Sequence, residues 1–178
     1  MKFCSECGSH VVQTIPAGDN RPRFVCPTCD TIHYQNPKMV VGTLPVWEDK
    51  VLLCKRAIEP QYGKWTLPAG FMENHESTQE GALRETFEEA GARVEIAQLF
   101  TLYNLPYISQ VYIMFRARLL DLDFAAGTES LEVALFSEAD MPWEQLAFRT
   151  IEQTLRRYFE DRRNGGFGFH TATIERNR

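Results

Sequence analysis

The order of apolar and polar positions along the chain predicts most of its elements. Residues 39–47 are apolar and rich in valine, Glu48-Asp49 is turn-like, and residues 51–56 resume the apolar pattern, so the pair reads as a β-hairpin. Residues 61–64 form a loop, 65–68 a short strand ending at Pro68, and 70–76 a polar loop. Residues 77–90 read as a helix, with Ser77 as N-cap, Glu80 completing a capping box and Gly91 at the C′ position. Residues 94–105 and 110–120 are strand-like on either side of Pro106-Tyr107, 121–130 is a loop and 131–136 another strand. Met141-Pro142-Trp143 opens a helical stretch, and 150–163 is a long amphipathic helix with Ile151, Leu155, Tyr158 and Phe159 on one side. Glycines at 165, 166 and 168 predict a loosely ordered tail. Strands dominate and two main helices lie far apart, which gives an α+β class or a mixed-sheet α/β/α sandwich.

The 77–90 helix has an unusual polar face. At about 100° per residue, Glu85, Glu88 and Glu89 share one side, and Leu83, Phe87 and Ala90 fall opposite, where a core is expected. Like charges three and four residues apart repel. A solvated acidic face is the plain reading. The neighbouring loop, with Gly70, Glu73 and Glu76, favours a different one: hard oxygen ligands that suit Mg²⁺ or Mn²⁺ holding substrate phosphates.

Composition adds a second metal candidate. The chain has 178 residues and five cysteines, and four of these, Cys4, Cys7, Cys26 and Cys29, form two CxxC pairs within the first 29 positions. Such spacing reads as a tetrahedral zinc site of structural role, since so short a segment buries too little apolar surface to fold alone. Two disulfides in a secreted module, or a redox pair, are the alternatives. His10 and His33 are spare ligands, and Cys54, in an apolar run, is expected as an inert core thiol. The start of the chain lacks the apolar stretch of a signal peptide and no apolar run is long enough to cross a membrane, so a cytoplasmic protein is expected. The net charge of −5 argues against nucleic acid as a partner.

The string Gly70-x5-Glu76-x7-Arg84-Glu85-Thr86-Phe87-Glu88-Glu89-Ala90-Gly91-Ala92 resembles the Nudix box, G-x5-E-x7-R-E-U-x-E-E-x-G-U, with Thr86 and Ala92 at its bulky aliphatic positions. The likeness extends over residues 38–160. It implies an α/β/α Nudix sandwich with a mixed sheet at 37–164, preceded by a zinc ribbon at 1–36 and followed by a tail at 165–178. It further implies hydrolysis of a nucleoside diphosphate linked to another moiety. In that reading Gly70, Glu85, Glu88 and Glu89 hold Mg²⁺ or Mn²⁺, Arg84 and Glu76 support them, and the general base is a box glutamate such as Glu88 or a later one, Glu129 in preference to Glu132. Arg56 contacts phosphate, and Phe71 and Tyr103, with Tyr107 and Phe148 as further candidates, stack on rings. The ribbon-plus-box layout is similar to NADH pyrophosphatases and to FAD and ADP-ribose pyrophosphatases. The Pro-Trp-Pro element of the NADH enzymes is absent from the corresponding region here, residues 102–110, which puts FAD or ADP-ribose first. A small-molecule nucleotide and a homodimer are the partners expected. The competing expectations are a nucleic-acid-binding sensor and an RNA decapping enzyme that binds through the ribbon.

Overall fold

The computed structural model describes residues 1–176. Its contacts divide the chain into two units, residues 1–37 and the chain from 38 onward.

The first unit is a three-stranded antiparallel sheet of β1 (Val12–Thr14), β2 (Arg23–Val25) and β3 (Ile32–His33). Each CxxC pair sits on a tight turn closed by a backbone bond, Gly8 N–H to Cys4 O at 3.0 Å and Asp30 N–H to Cys26 O at 2.9 Å. Both closing residues have positive φ, 74° at Gly8 and 57° at Asp30, a region that glycine and aspartate tolerate better than most residues.

The second unit is built on an eight-stranded mixed sheet. Its strands are β4 (Lys38–Trp47), β5 (Lys50–Arg56), β6 (Trp65–Thr66), β7 (Ala69–Phe71), β8 (Val94–Leu105), β9 (Gln110–Leu119), β10 (Ser130–Phe136) and β11 (His170–Thr173). The main order is β10-β5-β4-β9-β8-β11, with β6 on β5 and β7 on β4. The pairs β4–β9 and β8–β11 are parallel, and the rest are antiparallel. Alternation along the buried strands serves both faces of the sheet. Leu44, Leu53, Phe100 and Met114 meet Ile151, Leu155, Tyr158 and Phe159 of α2 (Arg149–Asn164), the face expected from the sequence. On the other face Val41 and Phe115 meet Ala82 of α1 (Thr78–Ala90), and Leu52 and Cys54 pack with Ala90. The α/β/α layering thus holds, and among the described residues no helix is long and apolar enough to cross a membrane.

Three expectations need correction. The packing face of α1 is not the Leu83–Phe87 side: Leu83 is 37% and Phe87 59% exposed, while Gly81, Ala82, Thr86, Glu89 and Ala90 are buried. Small residues win because the helix lies close to the sheet; a Cβ on Gly81 would stand 2.8 Å from the Val41 side chain. Second, the segment after α2 is not a loose tail. His170–Thr173 pairs in parallel with residues 101–104 of β8, and Ile174, 3% exposed, packs with Tyr103 and Leu105. The last residues of that expected tail, 177 and 178, lie outside the described residues. Third, residues 141–143 do not open one long helix. A single 3₁₀ turn, Trp143–Gln145, precedes α2, whose N-cap is Phe148.

Candidate active site

Strand β7 delivers the site's first element. It pairs with the first half of β4, with Val41 opposite Gly70 and Gly42 opposite Ala69. Gly42 permits this crossing, since a Cβ there would lie 2.3 Å from that of Ala69. Gly70 is required for a different reason: a Cβ on it would overlap the Glu85 carboxylate at 2.3 Å. The backbone of β7 therefore lies directly under the acidic side of α1.

The helix is fixed at both ends. Ser77 and Glu80 form the capping box, with Glu80 N–H on Ser77 Oγ at 3.2 Å and Ser77 N–H on Glu80 Oε2 at 2.8 Å. Gly91 ends it in the left-handed conformation, φ 60°. The loop 125–127 then bonds back to it, Gly127 N–H to Glu89 O at 3.0 Å, an approach that only glycine allows.

Arg84 is the hub of the charge network. It donates two bonds to Glu76, at 3.0 and 2.8 Å, one to Glu85 at 2.8 Å, one to Glu88 at 3.2 Å and one to the Phe71 carbonyl at 3.2 Å. Glu76 in turn accepts the Glu73 N–H at 2.6 Å. Together the Arg84 guanidinium and that N–H hold the Glu76 carboxyl down at about 2. Arg84 is itself raised above its ordinary value, chiefly by Glu76. Glu85 moves the other way: burial raises its carboxyl despite the Arg84 contact. Burial, reinforced by Glu85, pushes Glu89 up to about 8 against the pull of Arg56 and the Ala69 N–H. A carboxylate this deep, 8% exposed, carries a desolvation cost that a bound cation would offset.

These groups open on a cleft of about 710 Å³, a size that suits a small organic ligand. Gly70, Glu73, Glu85, Glu88 and Glu89 line it, with Glu129 from the loop before β10. Arg56 lines it too, its Nε donating to the Pro60 carbonyl at 2.8 Å and its guanidinium lying 5.1 Å from the centroid of Phe148. Phe71, Tyr107 and Phe148 are in the lining. Tyr103 is not: it is 2% exposed and belongs to the cluster of Leu105 and Ile174, because β8 turns its odd-numbered end residues into the core. Glu132 is exposed and pairs with Lys55 at 3.4 Å. Tyr112, Thr150 and Ile174, in the lining as well, were not singled out from the sequence. Only Ile174, an apolar residue closing the run Thr171-Ala172-Thr173, left a trace of strand character there.

The two metal candidates differ in closeness of fit. The sulfurs of Cys4, Cys7, Cys26 and Cys29 all lie within 4.8 Å of one another, with Cys4–Cys29 at 3.6 Å and Cys7–Cys26 at 3.5 Å. A tetrahedron with Zn–S bonds of about 2.3 Å has edges of about 3.8 Å. His33 sits beside this group, Nε2 to Cys4 Sγ at 3.3 Å, and all five cysteines are free of disulfides. Among the described residues no other set of three ligand groups converges so tightly. The box glutamates share one wall, with Arg84 holding Glu85 and Glu88; their donor set, carboxylates beside the Gly70 backbone, is of the hard-oxygen kind.

An acidic helix laid over a glycine-bearing strand, on an α/β/α sandwich that follows a four-thiolate module in the sequence, defines a narrow class of protein. The family model described as NUDIX domain matches residues 36–161, and the one described as Nudix N-terminal matches residues 2–35. The chain belongs to the Nudix family. The NAD-capped RNA hydrolase NudC of Pseudomonas aeruginosa is 27% identical over 168 residues, 92% of this chain and 57% of that protein, so the chain spans little more than half the length of such relatives. The ADP-ribose pyrophosphatase of Methanocaldococcus jannaschii is 29% identical over 119 residues, 65% of this chain and 69% of that protein. The crystal structure of a NUDIX hydrolase from Nitrosomonas europaea is 61% identical, with a TM-score of 0.96 over 99% of this chain and 100% of that one.

Proposed function

We propose that this chain hydrolyses the pyrophosphate bond of a nucleoside diphosphate linked to another moiety, with ADP-ribose or FAD as substrate and AMP as a product. The observation that carries the reading is the wall of Glu85, Glu88 and Glu89 over Gly70 in a cleft that also holds Arg56. Mg²⁺ or Mn²⁺ at Gly70, Glu85, Glu88 and Glu89 would supply charge neutralisation and a more acidic water. Arg84 and Glu76 keep the helix carboxylates in place when no cation is there. Arg56 faces the phosphates. Glu129, within the electrostatic reach of Glu85 and Glu89, takes the proton of the attacking water, with Glu88 as the alternative base. Water oxygen bonds to one phosphorus, the bridging P–O bond breaks, and the leaving phosphate keeps its electron pair.

A second reading, hydrolysis of NAD-capped RNA, draws support from the relatives of that name, whose likeness runs through the ribbon as well. The charge of −5 and the missing Pro-Trp-Pro element count against it. A panel decides between them: ADP-ribose, FAD, NADH, diadenosine polyphosphates and NAD-capped RNA, with Mg²⁺ and Mn²⁺ separately and products resolved by chromatography. ADP-ribose or FAD is expected to yield AMP, and Glu89→Gln to abolish turnover. A variant that still turns over removes the metal assignment. Zinc at the four cysteines is structural in this reading. Its homodimer is checked by sedimentation.

A further inference from the structure

The two helices begin in contrasting ways. The first turn of α1 is satisfied by its capping box, whereas α2 starts at Phe148, which offers no side-chain acceptor. A 16-residue helix thus opens with the positive end of its dipole uncapped by its own N-cap residue. Phe148, Arg149, Thr150 and Ile151 all line the cleft.

Thr150 supplies an independent sign. It is 2% exposed, it lines the cleft, and its hydroxyl has no hydrogen-bond partner among the described residues. A buried hydroxyl left unpaired costs free energy, so groups of this kind are few and call for an explanation. Other buried helix threonines show the contrast: Thr154 Oγ1, one turn further along α2, bonds the Thr150 carbonyl at 2.8 Å, and on α1 Thr86 Oγ1 bonds the Ala82 carbonyl at 2.7 Å.

The surroundings indicate the ligand. Leu105, Tyr112, Phe148, Ile151 and Ile174 give this part of the lining an apolar character. The Arg149 side chain is tied to the Glu175 carbonyl at 3.2 Å, and Arg56, 5.1 Å from the Phe148 ring, is the residue assigned above to the phosphates. A flat ring with an acceptor on its edge fits better than a dianion. Ile174 follows β11, beyond the 36–161 stretch that the family model matches, so this wall comes from chain outside the shared domain.

We propose that the first turn of α2, with the Thr150 hydroxyl as donor and Ile174 as apolar wall, is the subsite for the heteroaromatic ring of the substrate, reading a ring nitrogen or carbonyl oxygen on its edge. The assignment rests on the pyrophosphatase reading for the identity of the ligand. It makes Thr150 a specificity-determining residue whose hydroxyl is paired only when substrate is bound.

The test uses the full zinc-bound chain, with AMP and ribose 5-phosphate as probes in calorimetric titrations, alongside thermal unfolding. Thr150→Val is expected to weaken AMP roughly three- to tenfold, the span of one hydrogen bond, and to leave ribose 5-phosphate unchanged. Thr150→Ser restores AMP binding, and the unliganded Thr150→Val protein melts at or above the parent, because an unpaired hydroxyl is gone. Unchanged AMP affinity in Thr150→Val, or a lowered melting temperature with unchanged affinity, overturns the subsite. Equal weakening of AMP and ribose 5-phosphate overturns it in favour of a phosphate at the helix end. A parent that hydrolyses ADP-ribose while Thr150→Val keeps its KM loses the subsite alone. A parent that binds AMP through Thr150 yet hydrolyses nothing in the panel loses the pyrophosphatase reading alone.

Discussion

The contact that seats α1 on the sheet can be dissected with two valine substitutions. Thr43 and Thr86 are both 0% exposed, with their hydroxyl oxygens 2.6 Å apart. Thr86 spends its single hydroxyl hydrogen on the Ala82 carbonyl at 2.7 Å, so Thr43 must be the donor in the pair. The two replacements are therefore unequal. Thr86→Val keeps the shape but orphans the Thr43 donor in a sealed interface, at a cost of about 1–3 kcal/mol. Thr43→Val leaves Thr86 bonded to Ala82 and costs about 0.5 kcal/mol, the lower end for one lost hydrogen bond. In the double variant no donor is stranded, and it should resemble Thr43→Val. For a chain of this size about 2 kcal/mol corresponds to a fall of about 4–8 °C in melting temperature. Urea and thermal unfolding followed by circular dichroism give the cycle, with a coupling of about 1–3 kcal/mol expected, equal to the cost of Thr86→Val alone. Additive losses in the double variant would refute the donor assignment.

Two further outcomes follow from the metal candidates. Glu89 sits near 8 rather than at the ordinary 4.5, so the folded chain holds that proton more tightly than the unfolded one; the metal-free protein should lose stability as pH climbs through that window. Glu89→Gln escapes this loss, so scanning fluorimetry in metal-scavenged buffer should show it melting above the parent at about pH 8.5 and level with it at about pH 4.5; a gap independent of pH contradicts the burial argument. In the ribbon, Cys26→Ser should abolish binding of one zinc per chain and expose residues 1–37 to proteolysis while the unit from 38 onward stays protected. Native mass spectrometry and limited proteolysis read both, and a zinc-free ribbon that resists cleavage contradicts the structural role.

What the sequence made legible was whatever local physics decides. The capping box at Ser77 and Glu80 and the α2 face of Ile151, Leu155, Tyr158 and Phe159 follow from spacing alone, and the structure shows both. The box glutamates were legible as a pattern, and the cleft gathers Glu85, Glu88, Glu89 and Glu129 from two separate segments. Strand β11 was not legible, because its polar residues bury nothing until β8 offers an edge, and only Ile174 then gains a core. Thr150 gave no signal either, since an unpaired hydroxyl exists only relative to neighbours that the fold assembles.

The reversed face of α1 is the most informative difference, because it explains the chemistry of the site. Hydrophobicity assigns Leu83 and Phe87 to the core, and in isolation that choice would put the three box glutamates in water. The sheet instead receives Ala82, Thr86 and Ala90, residues small enough for β4 and β7 to come close. That close approach rotates the acidic side inward, so that Glu89 is buried and Glu85 lies against Gly70, while Glu88 stays at the rim. Bulkier residues on the packing face would lift the helix and return Glu89 to solvent, where its carboxyl would lose the desolvation that raises its proton affinity. Apolar burial forgone at Leu83 and Phe87 is thus what places a desolvated carboxylate in the cleft, and a carboxylate in that state gains more from a divalent cation than one on an open helix face.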